Sequence, residues 1–113
     1  MSTSEQRRAQ RKRANFTAVV TDVISGQPMG FLGNLSATGM LLISPKPPRS
    51  DGLYQLQLPL QGLGPQPQPI EVGVQAQWFE LAASPGQVWS GFRIISITPD
   101  DATTLDRWLS LGS

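Results

Sequence analysis

The stretch IEVGVQAQW at residues 70–78 alternates apolar side chains with polar residues or glycine from its first position to its last. A period of two residues is typical of a β-strand with one buried face. A turn follows at residues 82–86, and residues 88–97 are predicted to return as the antiparallel partner. The sequence therefore places a β-hairpin at the centre of the predicted fold.

Shorter extended segments precede this hairpin. Strands are predicted at residues 16–23, 29–35, 40–43 and 53–58, each ended by turn residues. Eleven glycines and ten prolines among 113 residues favour frequent turns over long helices. Leu53, Leu56 and Leu58 do not share one parity, which predicts a bulge or an irregular start of that strand.

The C-terminal segment differs in kind, because residues 98–101 carry the signals of a helix start. Threonine is an N-cap residue, proline suits the first helical position, and two aspartates suit the first turn. Leu105, Trp108 and Leu109 then form an apolar stripe that docks on the strands, and Gly112 is the predicted stop. About six strands and a helix at about 99–110 predict an all-β protein, an antiparallel barrel with a C-terminal helix. Trp89, Trp108 and the phenylalanines are predicted to lie in its core.

The composition excludes several classes of function. The chain has neither cysteine nor histidine, which removes disulfides, thiolate sites for zinc, thiol nucleophiles and the commonest general base. We therefore predict no enzyme, no metal site and no cofactor. No apolar stretch is long enough to cross a bilayer, and no secretory signal is recognisable, so a cytoplasmic location without membrane insertion is expected.

The charges are divided unevenly along the chain. Residues 1–13 hold five basic residues and one acidic residue, whereas residues 14–113 hold four basic and seven acidic residues. The sequence thus predicts a flexible basic N-terminal arm at 1–13 and one mildly acidic domain at 14–113. Such an arm indicates an anionic partner: nucleic acid, a membrane surface or a phosphorylated ligand.

Two short motifs narrow this choice. Arg7 and Arg11 have RxxxR spacing before the first strand, and residues 34–39, NLSATG, fit the pattern [D/N]xSxxG between the second and third strands. In this order, the two motifs resemble the signature of the PilZ domain family. Gln77-Trp78, residues 91–94 and residues 98–101 resemble the second half of that family, so the resemblance runs from Arg7 to Leu109.

The resemblance implies a PilZ-like barrel that captures the bacterial second messenger cyclic di-GMP and signals to an unidentified downstream protein. Arg7 and Arg11 would grip a phosphate or a guanine edge, with Arg8 as an auxiliary. A second register uses Arg8 and Lys12, but lysine lacks the planar fork of arginine. Biofilm formation and motility are behaviours that such signalling controls in the family.

On the barrel, the resemblance assigns ligand contacts to four residues. Asn34 and Ser36 would present short polar side chains to guanine or phosphate, and Gly39 would permit a positive φ or a close backbone approach. Trp78 has two interpretations. Its indole could stack on a base, or it could pack in the core, because it shares the parity of Ile70.

Two other functions remain open at this point. A PilZ-like adaptor of type IV pilus assembly or motility would bind no nucleotide, and retention of both motifs argues against it. A barrel that binds nucleic acid through a basic tail is disfavoured by the acidic domain and by the lack of aromatic residues in the arm, so no DNA is expected. We predict a monomer or a weak homodimer, and the number of bound dinucleotides stays open.

Overall fold

The computed structural model describes residues 12–13 and 18–111, and every structural statement below concerns that part of the chain. It contains seven strands and one helix: β1 (Lys12–Arg13), β2 (Val19–Asp22), β3 (Pro28–Leu35), β4 (Gly39–Ser44), β5 (Leu53–Leu60), β6 (Gln68–Leu81), β7 (Val88–Ile97) and α1 (Pro99–Ser110). All strand pairs are antiparallel.

Six of the strands close a barrel. The hydrogen-bonded order is β3-β2-β5-β6-β7-β4, and β4 pairs with β3 again, which leaves no open edge around the ring. The two-residue β1 lies outside this ring and pairs with the C-terminal end of β3. The predicted six-stranded antiparallel barrel with a C-terminal helix is confirmed.

The hairpin expected at the centre of the fold is formed by β6 and β7, whose pairing runs from Val72↔Ile97 to Leu81↔Val88. The bulge or irregular start predicted for β5, the strand that precedes this hairpin, is wrong. Its pairing with β6 shows no register shift, and Leu53 is 61% exposed while Leu56 is fully buried. Leu53 lies on the other face of a regular strand, so the parity of the leucines has a simple explanation.

The barrel interior is filled by hydrophobic side chains from β2 to β7, and Leu105 and Trp108 of α1 belong to the same core. The helix begins as predicted: the Thr98 side chain accepts a hydrogen bond from the Asp101 N–H at 3.2 Å, and Pro99 is the first residue of the helix. Trp108 is buried, and its Nε1 donates to the Gln61 carbonyl oxygen at 3.0 Å. This bond satisfies the one polar atom of the indole and ties the helix to the β5–β6 loop.

The predicted burial of the aromatic residues is correct for some and wrong for others. Trp108 and Phe92 lie in the core, but Trp89 is 42% exposed and Phe31 is 49% exposed. Phe79 is also exposed, and Phe16 lies outside the described residues. Phe31 and Trp89 belong to a row of outward-facing residues that pair in register across four strands, here called the apolar row: Val19, Phe31, Ile43 and Trp89. A sequence pattern cannot separate an apolar outer row from an apolar core when both faces of a strand are hydrophobic.

The arm predicted at residues 1–13 reaches the described part of the chain only at its end, where Lys12 and Arg13 pair with Leu35 and Asn34 of β3. Residues 1–11 lie outside the described residues, so their flexibility and the boundary of the arm stay predictions. Gly112, the predicted helix stop, also lies outside. The only helix in the described part, α1, is too short and too polar to cross a membrane.

Candidate ligand-binding site

The turn between β3 and β4 is held together by the side chain of Ser36. Its hydroxyl oxygen accepts hydrogen bonds from the N–H groups of Thr38 at 3.2 Å and Gly39 at 3.1 Å. The Ser36 N–H donates in turn to the Gly39 carbonyl oxygen at 2.9 Å. A short hydroxyl side chain satisfies the backbone of its own turn in this way. Ser36 is completely buried, and its hydroxyl is used within the turn.

Asn34 owes its orientation to a bulge in β3. The register between β3 and β4 shifts between Leu32↔Leu42 and Asn34↔Leu41, so β3 has one extra residue, Gly33. Leu32 points into the core, and Asn34, two residues later, would follow it on a regular strand. The bulge reverses this parity. Asn34 therefore faces outward opposite Leu41, and its side chain is half-buried.

Trp78 is placed by a second bulge of the same kind. The register between β6 and β7 shifts between Ala76↔Phe92 and Trp78↔Gly91, which makes Gln77 the extra residue. Ala76 is buried, but Trp78 is 48% exposed on the outer surface. The alternation predicted through residue 78 is thus wrong at its last position, and the core interpretation of Trp78 is excluded.

The indole of Trp78 lies directly over Gly91 of β7. A Cβ atom at Gly91 would collide with Nε1 and Cε2 of the indole, as well as with its six-membered ring. A glycine is therefore required here to let the ring lie against the strand. One part of the indole is covered by the barrel wall, and about half of the side chain stays open to a ligand.

The two bulges place Asn34 and Trp78 in the same outward row of the barrel. Arg13, Asn34, Leu41, Gly91 and Trp78 are paired one after another across β1, β3, β4, β7 and β6. Residues 34 and 78, which are far apart in sequence, therefore share one side of the wall. The end of the arm lies in the same row.

An open cavity with a volume of about 420 Å³ lies along this row. This size falls within the range of typical sites for small molecules. Asn34, Gly39 and Trp78, three of the residues selected from the sequence, line the cavity, and Ser36 does not. Other side chains in the wall were not predicted: Thr38, Met40, Leu41, Gln77, Trp89, Phe92 and Arg93.

Few signals in the sequence point to these further residues. The glycine at position 33 is one, because an isolated glycine within a strand often marks a bulge. Gln77 carries no such signal, since glutamine is an ordinary outward residue of a strand. Trp89 was assigned to the core by its hydrophobicity, and Arg93 was treated only as part of a return strand.

Gly39 begins β4, where it pairs with Arg93 of β7 and is buried. The described glycines with positive φ are Gly26, Gly62 and Gly86, so Gly39 does not use the left-handed region that was one of its two predicted roles. The carbonyl of Thr38 accepts a hydrogen bond from the Ile94 N–H at 2.9 Å. This bond fixes the turn to β7 and holds it at the rim of the cavity.

The arginines predicted to bind the ligand from the arm have no described position. Arg7, Arg8 and Arg11 lie outside the described residues. Lys12, the first described residue of the arm, pairs with Leu35, the residue directly before Ser36. The arm therefore joins the barrel beside the turn that borders the cavity.

Comparison with known proteins agrees with this architecture. The family model described as the PilZ domain matches residues 5–111. No curated protein sequence matches the chain. The fold is similar to that of the Bacillus subtilis inhibitor of motility, MotI/DgrA, with a TM-score of 0.74 and 14% sequence identity over 92% of this chain and 49% of that one. The chain thus spans about half the length of MotI/DgrA, and at this identity the likeness shows the fold alone.

The family match includes the arm motif, the turn at residues 34–39, the hairpin of β6 and β7, and all of α1. The chain forms a closed six-stranded barrel with one C-terminal helix, which is the architecture that the resemblance to the family implied. The chain belongs to the PilZ domain family.

Proposed function

We propose that this chain is a receptor for cyclic di-GMP, which it binds between the N-terminal arm and the cavity, and that it passes the signal to a partner protein. PilZ domains are typically receptors and adaptors without catalytic activity. The observation that carries the proposal is the shared cavity: Asn34, Gly39 and Trp78 line it together, and the arm joins the barrel in the same row.

The size of the site favours a dinucleotide over a single nucleotide. Asn34 and Trp78 lie in one row with two strands between them, which separates their backbones by about 14 Å at the usual spacing of strands. Cyclic di-GMP carries two guanines and two phosphodiesters in a compact ring. It can therefore contact both positions at once.

The residues divide the work by chemistry. The exposed half of the Trp78 indole stacks on one guanine, a contact worth about 1–3 kcal/mol for a base on an aromatic side chain. Asn34 hydrogen-bonds to a guanine edge or a phosphate. Ser36 supports the ligand through the shape of the turn, and Gly39 through its backbone. Arg7 and Arg11 bind phosphate or guanine with their planar forks, with Arg8 as an auxiliary.

Binding is expected to depend on the arm and the barrel together. Ordering an arm residue costs about 1–2 kcal/mol, so seven residues cost more than two or three charged hydrogen bonds return. The contacts of the barrel wall must supply the remaining favourable free energy of binding. A change in either half of the site therefore lowers the affinity for the whole ligand.

Isothermal titration with cyclic di-GMP tests the proposal. The wild type is expected to bind, and Arg7→Ala/Arg11→Ala to bind at least about 100-fold more weakly, because two charged hydrogen bonds are lost. Arg107→Ala, which removes a cation from α1 that does not line the cavity, is the matched control. GTP and cyclic AMP should give no heat. Equal affinity of the double variant would exclude the arm as a clamp.

The alternative function is a PilZ-like adaptor that binds no nucleotide and acts in type IV pilus assembly or motility. The apolar row favours a protein partner, because exposed hydrophobic patches mark interaction surfaces. MotI/DgrA, similar in fold, is an inhibitor of motility. A wild-type protein without heat in the titration would make the adaptor the better proposal.

The receptor proposal also covers the location, the oligomeric state and the binding partners of the protein. The protein would act in the cytoplasm as a monomer or a weak homodimer, bind no DNA and need no cofactor beyond the dinucleotide ligand. Sedimentation with and without cyclic di-GMP measures the oligomeric state. A stable dimer at micromolar concentration in the absence of ligand would contradict this part of the proposal.

A further inference from the structure

The cavity contains one charged side chain that neither motif includes. Among the described residues that line it, Arg93 of β7 is the only one with a charge. Arg93 is exposed, and its guanidinium makes no hydrogen bond or ion pair with any other described residue. A cation in the wall of a cavity that has no partner among the described residues is available to an anionic ligand.

The surrounding charges make this position unusual within the domain. Residues 14–113 carry seven acidic side chains and four basic ones. None of the acidic side chains is among the described residues that line the cavity: Asp22, Asp51, Glu71, Glu80, Asp100, Asp101 and Asp106. The cavity is thus locally positive in a domain that is acidic as a whole. Local positive charge of this kind attracts a small anion, whereas the acidic surface of the rest of the domain repels nucleic acid.

The backbone around Arg93 is fixed with respect to the rest of the site. Arg93 pairs with Gly39 on one side and with Gln75 on the other. The next residue, Ile94, donates the hydrogen bond to Thr38 that holds the turn. Gly39 has no side chain beyond a hydrogen, so the cross-strand neighbour of Arg93 leaves space for the guanidinium.

The distance between Arg93 and the strand position under the Trp78 indole indicates which group of the ligand Arg93 can bind. Gly91, which lies under the indole, and Arg93 are two residues apart on β7 and face the same side, about 7 Å from each other along the strand. This separation is comparable to that between a purine and the phosphate of the same nucleotide. A guanine stacked on Trp78 would therefore place a phosphodiester near Arg93.

We propose that Arg93 binds one phosphodiester of the dinucleotide from the barrel wall, while the arm arginines bind the rest of the ligand. This inference rests on the proposed function and adds a residue outside the RxxxR and NxSxxG motifs. It also divides the cationic groups into a fixed one on β7 and others on the arm. The fixed cation needs no ordering of the chain before it can act.

The test is a titration of the full chain with cyclic di-GMP. Arg93→Gln should weaken binding by about 10–100-fold, the range expected for the loss of a charged hydrogen bond. Arg107→Gln removes the same charge from α1 and should stay within about 2-fold of the wild type. Urea unfolding of both variants should match that of the wild type, since Arg93 is exposed.

Arg93→Lys separates a phosphate contact from a guanine contact. A phosphate accepts a point charge, so lysine should recover part of the lost affinity, whereas a guanine edge needs the planar fork. A lysine variant as weak as Arg93→Gln would overturn the phosphate assignment. Wild-type affinity in Arg93→Gln would overturn the inference alone. No binding by the wild type would overturn the proposed function, and this inference with it.

Discussion

The barrel has two outer faces of opposite character, although the same ladder of hydrogen bonds builds both. One face, here called the polar face, consists of three outward side chains in the regular pairing of β5 with β6: Gln55, Gln57 and Glu71. Gln55 Nε2 donates a hydrogen bond to Glu71 Oε1 at 3.3 Å. The other face is the apolar row, to which β2, β3, β4 and β7 contribute one outward residue each. The polar face is thus hydrogen-bonded within itself. The apolar row leaves large hydrophobic side chains partly exposed.

The position of the candidate site follows this division. Trp89 belongs to the apolar row and also lines the cavity, so the row and the cavity are continuous. Neither bulge that orients a site residue lies in the β5–β6 pairing, which is regular throughout. The comparison shows that regular pairing with alternating side chains makes a surface for water, whereas irregular pairing with apolar outer positions makes a surface for ligands and partners.

The largest expected effect contrasts the inside and the outside of one strand. Leu58→Ala should lower the free energy of unfolding by about 2–5 kcal/mol, because it leaves a cavity in a fully buried position. Gln57→Ala, the neighbouring change on the polar face, should alter it by less than about 0.5 kcal/mol. Urea denaturation followed by tryptophan fluorescence measures both. Similar losses in the two variants would contradict the assignment of inner and outer positions.

An intermediate effect contrasts two glycines on the two faces. Gly91→Ala forces the Trp78 indole off β7, so the affinity for cyclic di-GMP should fall by about 10–100-fold with the loss of stacking. Gly73→Ala is the matched control on the polar face, where the added methyl meets the Ser96 Cβ at 3.1 Å. Titration of both variants with the dinucleotide checks this. A larger loss for Gly73→Ala would show that the indole is not the stacking group.

The smallest expected effect concerns the apolar row itself. Phe31→Gln should change the free energy of unfolding by less than about 0.5 kcal/mol, since half of this side chain is already in water. Binding of a hydrophobic fluorescent dye should decrease at the same time, whereas Gln57→Ala should leave it unchanged. A loss of stability above about 2 kcal/mol would place Phe31 in a packed core and remove the contrast between the faces.

The fold was predictable to a large extent because its main signals are local. The N-cap at Thr98, the proline at position 99 and the apolar stripe of α1 act within a few residues of one another. The hairpin of β6 and β7 follows from alternation and a short turn. Trp89 and Phe31 were misplaced, because hydrophobicity does not report which face of a strand a side chain occupies.

The candidate site was predictable in its members more than in its geometry. Asn34 and Gly39 belong to a motif, and the structure adds that both line one cavity with Trp78. Ser36 belongs to the same motif, but its hydroxyl is spent on the backbone of the turn. Arg93 has no signal in the sequence, because a single arginine in a strand has no pattern around it.

The amino-acid sequence by itself determined the strand periods, the turns, the helix start, the basic arm and the two motifs of the family, since each depends on neighbouring residues. Only the tertiary structure decided which way Asn34 and Trp78 face. Both have the parity of core residues along their strands, and each is turned outward by one extra residue opposite a partner strand. A bulge is a property of two paired strands. For that reason the 34–39 turn and the indole line one cavity only when the barrel closes.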